Sequence, residues 1–163
     1  MDYTGLYNED FHAWSLRQAE LLRDLSRAGL ILPNDLDLDH IAEKIEDVGN
    51  AQRFAVESPL INSLVHLIKI AMLPQDQAVR HWAGETVVFL NIASRRYWHS
   101  MRRAIDVHSL WLDACRIATR VLDVYGHPRP DLPAAAPFTL AELLDPEADP
   151  RALGVKVRAE AAA

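Results

Sequence analysis

Pro59-Leu60-Ile61-Asn62-Ser63-Leu64-Val65-His66-Leu67-Ile68-Lys69-Ile70-Ala71-Met72-Leu73 decides the fold. Its 15 residues make a helix of about 22 Å, short of the roughly 30 Å hydrocarbon core of a bilayer. Two members, His66 and Lys69, are polar or charged. Together with Ser58 and Asn62 they fall on one helical stripe, and the remaining faces are apolar. A helix apolar nearly all round belongs at the centre of a bundle. Ser58-Pro59 reads as an N-cap followed by proline at the first helical position, or as a kinked continuation of the preceding helix. Pro74 ends the run.

Upstream, Asp37 is the N-cap of a helix reaching about Val56, with an apolar stripe of Leu38, Ile41, Ile45 and Val48 and with Ala42 and Gly49 alongside. Gly49 costs some helix stability and lets another helix come close. A first helix spans about Asp10 to Ala28 on Phe11, Trp14, Leu21, Leu22, Leu25 and Ala28, and Gly29 stops it. Leu30 to Leu36 connects the two through a turn at Pro33-Asn34-Asp35.

Downstream, Pro74 to Gly84 is a polar turn region anchored by Trp82. Helix then runs from about Glu85 to Tyr125, broken or kinked between Trp98 and Arg103. Its last part carries a seven-residue pattern at Tyr97, Met101, Ala104, His108, Trp111, Cys115, Ala118, Leu122 and Tyr125, a seam that packs on an antiparallel neighbour. Gly126 ends it. A proline-rich connector, 126–137, leads to a short helix at Leu140 to Leu144, opened by a capping box of Thr139 and Glu142. The alternating proline, alanine and charged residues of 146–163 read as a loose tail. The expected architecture is all-α: an up-and-down bundle of four to five main helices plus a short C-terminal helix, in one domain over 1–145.

The 163 residues, half of them apolar and a quarter charged, suit one globular core. A single cysteine, Cys115, forms no intrachain disulfide and suits a reducing compartment, so a cytoplasmic setting is expected. Met1-Asp2-Tyr3-Thr4-Gly5 has neither the basic start nor the apolar run of a secretory signal, and no membrane association is expected. A net charge of −6 argues against general polyanion binding. The charges are unevenly placed: Leu30 to Glu57 is rich in acids, whereas Arg80 to Arg120 is rich in bases. Such segments attract each other, within one chain or between two copies.

Two constellations bear chemistry. His40, Glu43, Asp47 and Asn50 share one helical face, flanked by Asp39 and Glu46. Imidazole with carboxylates is the ligand set of zinc, iron or manganese sites between facing helices, and His66 on the next helix is placed to complete one. The catalytic candidates are thus His66 with Glu43, Glu46 or Asp47; the metal candidates are His40, Glu43, Asp47 and His66. On the other reading this face is simply solvated, and His66 is a structural histidine bonded to Glu46. The second constellation is Arg95-Arg96-Tyr97-Trp98-His99-Ser100-Met101-Arg102-Arg103. Arg95, Arg96, Arg102 and Arg103 around Trp98 match the pairing of cation and aromatic face used for single-stranded nucleic acid. The alternative packs Tyr97, Trp98 and Met101 inward while the arginines pair with acids. No Gly-x-Ser-x-Gly elbow is present, and Cys115 on a packing seam is a poor nucleophile.

The chain resembles a bacterial family catalogued as domain of unknown function 29, common in cyanobacteria and proteobacteria. The resemblance is carried by Tyr7-Asn8-Glu9-Asp10-Phe11-His12-Ala13-Trp14 and by Asp37-Leu38-Asp39-His40-Ile41-Ala42-Glu43-Lys44-Ile45-Glu46-Asp47-Val48-Gly49. Leu64-Val65-His66-Leu67-Ile68-Lys69 and Phe138-Thr139-Leu140-Ala141-Glu142-Leu143-Leu144-Asp145 extend it. The middle, Gln75 to Ala104, departs most, with Val87-Val88-Phe89-Leu90 where the family is richer in Arg and Glu. The resemblance implies an all-helical bundle in a bacterial cytoplasm and brings no activity with it. With no catalytic motif, complementary charged segments and a continuous seam, the residues point to a protein-interaction or adaptor module that forms a homo-oligomer and needs no cofactor. The alternatives are the divalent-metal or acid–base enzyme and the nucleic-acid binder just described.

Overall fold

A computed structural model of the chain describes residues 3–29, 31–33 and 35–161. Asn34 of the expected turn, Leu30 of the connector and Ala162 and Ala163 of the expected tail lie outside the described residues, as do Met1 and Asp2. The fold is all-α, as expected. Helices α1 (Tyr3–Glu9), α2 (Phe11–Arg27), α3 (Leu38–Met72) and α4 (Val79–Arg96) are followed by a short 3-10 helix at His99–Arg103. Then come α5 (Val107–Val124), α6 (Leu140–Leu143) and α7 (Pro150–Ala161), and no strand occurs among the described residues. Where one domain is expected over 1–145, the chain divides into two compact units: Met1–Ala55 with Tyr97–Ile105, and Val56–Arg96 with Asp106–Ala163.

In the first unit α2 starts where expected, because Asp10 caps it by accepting the Ala13 N–H at 2.9 Å. It ends at Gly29, whose φ of +66° only glycine adopts freely. The buried face of α2 is not the expected line of large apolar residues but His12, Ser15 and Ala19. The cause lies opposite, on α3. A β-carbon built on Gly49 would stand 2.1 Å from Ser15 Oγ and 3.2 Å from Ser15 Cβ, and Ala42 is fully buried. Helix backbones this close admit only small side chains. The rings of Tyr7, Phe11 and Trp14 instead cluster against each other, with centroids 4.9 to 5.4 Å apart.

The same approach fixes the rotation of α3. Leu38, Ala42 and Gly49 are buried, as is Val56 where the second unit begins, whereas Ile41 and Val48 of the expected stripe are 39% and 47% exposed. The helix also continues through Ser58-Pro59, with Pro59 in its interior, so this proline starts no new helix. An interior proline costs about 3 kcal/mol. Leu60, Leu64, Leu67 and Ile68 are completely buried and contribute about 2 kcal/mol each, which outweighs that cost. At 35 residues the merged helix is long and apolar enough to cross a membrane by length and composition. However, 61% of its most apolar window is buried inside the protein.

In the second unit α4 begins at Val79, earlier than the expected Glu85, because Asp76 turns the chain by accepting the Ala78 N–H at 2.7 Å. The predicted anchor Trp82 is buried, with Lys69 Nζ 4.5 Å above its ring. Asp106 caps α5, which buries Leu110, Trp111, Ala114, Ala118 and Leu122. The expected seam crosses a helix break, so Ala104, His108 and Tyr125 fall on exposed surface. Trp111 Nε1 donates to the Pro133 carbonyl at 2.8 Å and its ring meets Phe138 edge-on, which lays the proline-rich connector along α5. The capping box of Thr139 and Glu142 opens α6 as predicted. Residues 150–161 are not loose: α7 lies so close to α3 that a β-carbon on Gly154 would come within 2.8 Å of Ile70 Cγ2. Val157 is fully buried, and Arg158 Nε donates to the Ala71 carbonyl at 3.1 Å.

Candidate functional site

Glu43, Glu46 and Asp47 fall in the first compact unit and His66 in the second. The acids expected to meet His66 take partners within their own unit. Each acid has local company instead. Glu46 takes an ion pair from Arg23 on α2, which raises the arginine's pKa. Asp47 accepts from Lys44 at 2.8 Å, and Glu43 Oε1 lies 3.6 Å from the same ammonium. The His40 ring pairs with Asp37 at 2.5 Å; this contact raises the imidazole pKa, while the His40 backbone N–H and ring together lower that of Asp37. Among the described residues no group of three or more His, Cys, Asp or Glu is arranged to hold a metal ion, so the set His40, Glu43, Asp47 and His66 is not assembled.

What meets His66 is α4. Glu85 Oε2 lies 3.2 Å from His66 Nε2 and 3.4 Å from His81 Nε2, and the His66 ring stacks on Phe89 at 5.8 Å. Burial, assisted by the charge of Lys69 and opposed by Glu85, holds the His66 pKa down at about 4. The imidazole is thus neutral at pH 7. Its Nδ1 is buried without a hydrogen-bond partner among the described residues. Lys69 is lowered too, by burial. A cleft lined by Arg80, His81, Glu85 and Phe89 opens beside the group. Glu85 thus lies within reach of both imidazoles, an acid–base arrangement with no nucleophile described beside it. Glu85 and His81 escape a sequence reading that starts α4 at Glu85, since the earlier start places the two residues one turn apart. Their spacing of four, matched to the polar stripe of His66 and Lys69, is the signal that carried the information.

The first unit holds a second cluster that the motifs do not reveal. Ser100 Oγ donates to Asp10 Oδ1 at 2.7 Å and lies 2.8 Å from Nδ1 of the buried His12, while the Ser100 N–H donates to Asp10 Oδ2 at 3.1 Å. The hydroxyl proton is directed at the carboxylate, and His12 therefore donates to the oxygen rather than taking its proton. A nucleophilic triad needs the opposite order. This chain of bonds ties the 3-10 helix to the start of α2. Burial also lowers the pKa of His12.

The arginine run is divided between the units after Arg96. Arg95 and Arg96 are exposed in the last turn of α4, and Arg102 and Arg103 are exposed at the end of the 3-10 helix. There they complement the carbonyl ends of their helices. Met101 is buried and Tyr97 and Trp98 are half-buried. Cys115 is half-buried, and burial pushes its thiol up to about 11, which leaves little thiolate for nucleophilic work.

Residues 6–148 match the family described as Domain of unknown function DUF29. No curated protein matches the sequence. The fold is similar to that of a solved structure, an alpha-helical protein of unknown function from Rhodospirillum rubrum, with a TM-score of 0.81 and 30% sequence identity over 93% of this chain and 96% of that one. The family match runs through α2 to α6, the elements that build both clusters. The chain belongs to the family of Domain of unknown function DUF29.

Proposed function

We propose that this protein works by binding protein surfaces, a second copy of itself first, as an interaction module of a bacterial cytoplasm. The observation that carries the reading is the rotation of α3. Ile41 and Val48, seven residues apart on one face, are exposed while the core line is Leu38, Ala42, Gly49 and Val56. Two branched apolar side chains a helical repeat apart form a seat for another surface. Charge favours a second copy as occupant. The same helix exposes Asp39, Glu43 and Asp47, and the chain exposes Arg95, Arg96, Arg102 and Arg103 elsewhere, a complementary pair of patches. The single free thiol of Cys115 suits a reducing cytoplasm.

Light scattering on the eluting peak of a size-exclusion column tests the reading. The expected result is a dimer that dissociates as salt is raised, and a monomer for the Ile41→Asp, Val48→Asp double variant. A wild-type chain that stays monomeric at high concentration and low salt would sink the proposal.

A further inference from the structure

The second unit contains a cavity of about 660 Å³ whose rim carries Arg80 from the first turn of α4 and Arg151 and Arg158 from α7. Ile70, Val79 and Val155 are its apolar lining, and the acid among its lining residues is Asp76, whose Oδ1 already accepts the Ala78 N–H. Arg23 pairs with Glu46, Arg27 with Asp24 and Arg116 with Asp113. Among the described residues no carboxylate forms an ion pair with Arg80, Arg151 or Arg158.

Three arginines lining one open pocket give it a positive potential that favours an anion. Arg158 is held from behind, its Nε donating to the Ala71 carbonyl, so its terminal nitrogens remain for a ligand. The fork of an arginine matches phosphate and carboxylate oxygens in pairs. A triple positive charge favours a group with two or more negative charges over a single carboxylate. The volume falls within the range of small-molecule sites, and an apolar lining suits an organic body.

We propose that this cavity binds a small organic phosphate, with Arg80, Arg151 and Arg158 on the phosphate and Ile70, Val79 and Val155 against the rest. Calorimetry of the full chain with pyrophosphate, inorganic phosphate and a tricarboxylate at low salt tests it, with adenosine diphosphate as the organic probe. Pyrophosphate and the nucleotide are expected to bind more tightly than the tricarboxylate. Arg80→Gln and Arg151→Gln, which leave the Arg158 contact with α3 intact, are each expected to weaken binding about tenfold. Arg116→Gln, away from the cavity, is expected to change nothing, and helical circular dichroism is expected to stay the same in all three variants. No heat of binding at millimolar ligand, or equal weakening by Arg116→Gln, overturns the site. Equal affinity for the tricarboxylate overturns its assignment to phosphate.

Discussion

Ser15 Oγ occupies the space that any side chain at Gly49 would need, 2.1 Å from where a β-carbon would sit, and it is held there by donating to the His12 carbonyl at 2.9 Å. Alanine at 49 gains about 1 kcal/mol of helix propensity, but it must push Ser15 off its bond and crowd the serine Cβ, at about 1 to 3 kcal/mol each way. Gly49→Ala is therefore expected to lower the unfolding free energy by about 1 to 5 kcal/mol in urea titration. Adding Ser15→Gly should recover part of the loss, and a Gly49→Ala protein as stable as the wild type would contradict the close approach.

His66, with its pKa held near 4 by burial, gives stability a pH dependence of definite sign. The unfolded chain binds this proton at about 6.5 and the folded chain only near 4, so the stabilisation is full above pH 6.5 and is lost as pH falls towards 4. The loss is on the order of 3 kcal/mol. His12, also lowered, acts in the same direction, whereas Glu142, drawn down to about 2 by Lys156 and Thr139, loses its contribution only below about 4.5. Unfolding free energies measured from pH 7 to pH 4 should fall, and His66→Phe, which keeps a ring against Phe89, should fall less steeply. Parallel profiles would remove His66 as a source.

Trp111 is fully buried and its indole N–H is the donor to Pro133. Trp111→Phe keeps an aromatic ring but leaves that carbonyl unsatisfied, at about 1 to 3 kcal/mol. Limited proteolysis should then cut more quickly within residues 126–137, where the connector has lost its tether. An unchanged cleavage rate would show that the bond does not hold the connector.

Cys115, with its thiol pushed up to about 11 from 9.0, has about 100-fold less thiolate at a given neutral pH than an ordinary cysteine. Alkylation by iodoacetamide should be slow in buffer and rapid in denaturant. Comparable rates in both would mean that the thiol is not shielded.

Local punctuation was the most legible part of the sequence. Asp10, Gly29, Gly126 and the Thr139–Glu142 box stand where their backbone chemistry requires, and Gly49 admits the close helix its lack of a β-carbon suggested. The continuity of α3 was hidden because proline signals a helix start more strongly than buried leucines signal continuation. Its rotation was hidden because Ala42 and Gly49 line a seam that hydrophobicity alone assigns to Ile41 and Val48. His66 was recognisable as a buried polar residue on a core helix, yet its carboxylate partner Glu85 depends on where α4 begins, which one capping aspartate decides. Small residues concealed α7 as well, since it buries Pro150, Gly154 and Val157, a face too slight to register as an apolar stripe.

The matched family region stops at residue 148, while the helix that covers Ile70 begins at Pro150. Anyone excising the domain at the boundary drawn by sequence relatives would remove Gly154 and Val157 from their seat and uncover the end of α3, and would remove two of the three arginines that line the cavity beside it. Such a protein is expected to aggregate on expression. For this protein the limit of recognisable kinship and the limit of a self-sufficient folding piece are different places in the chain.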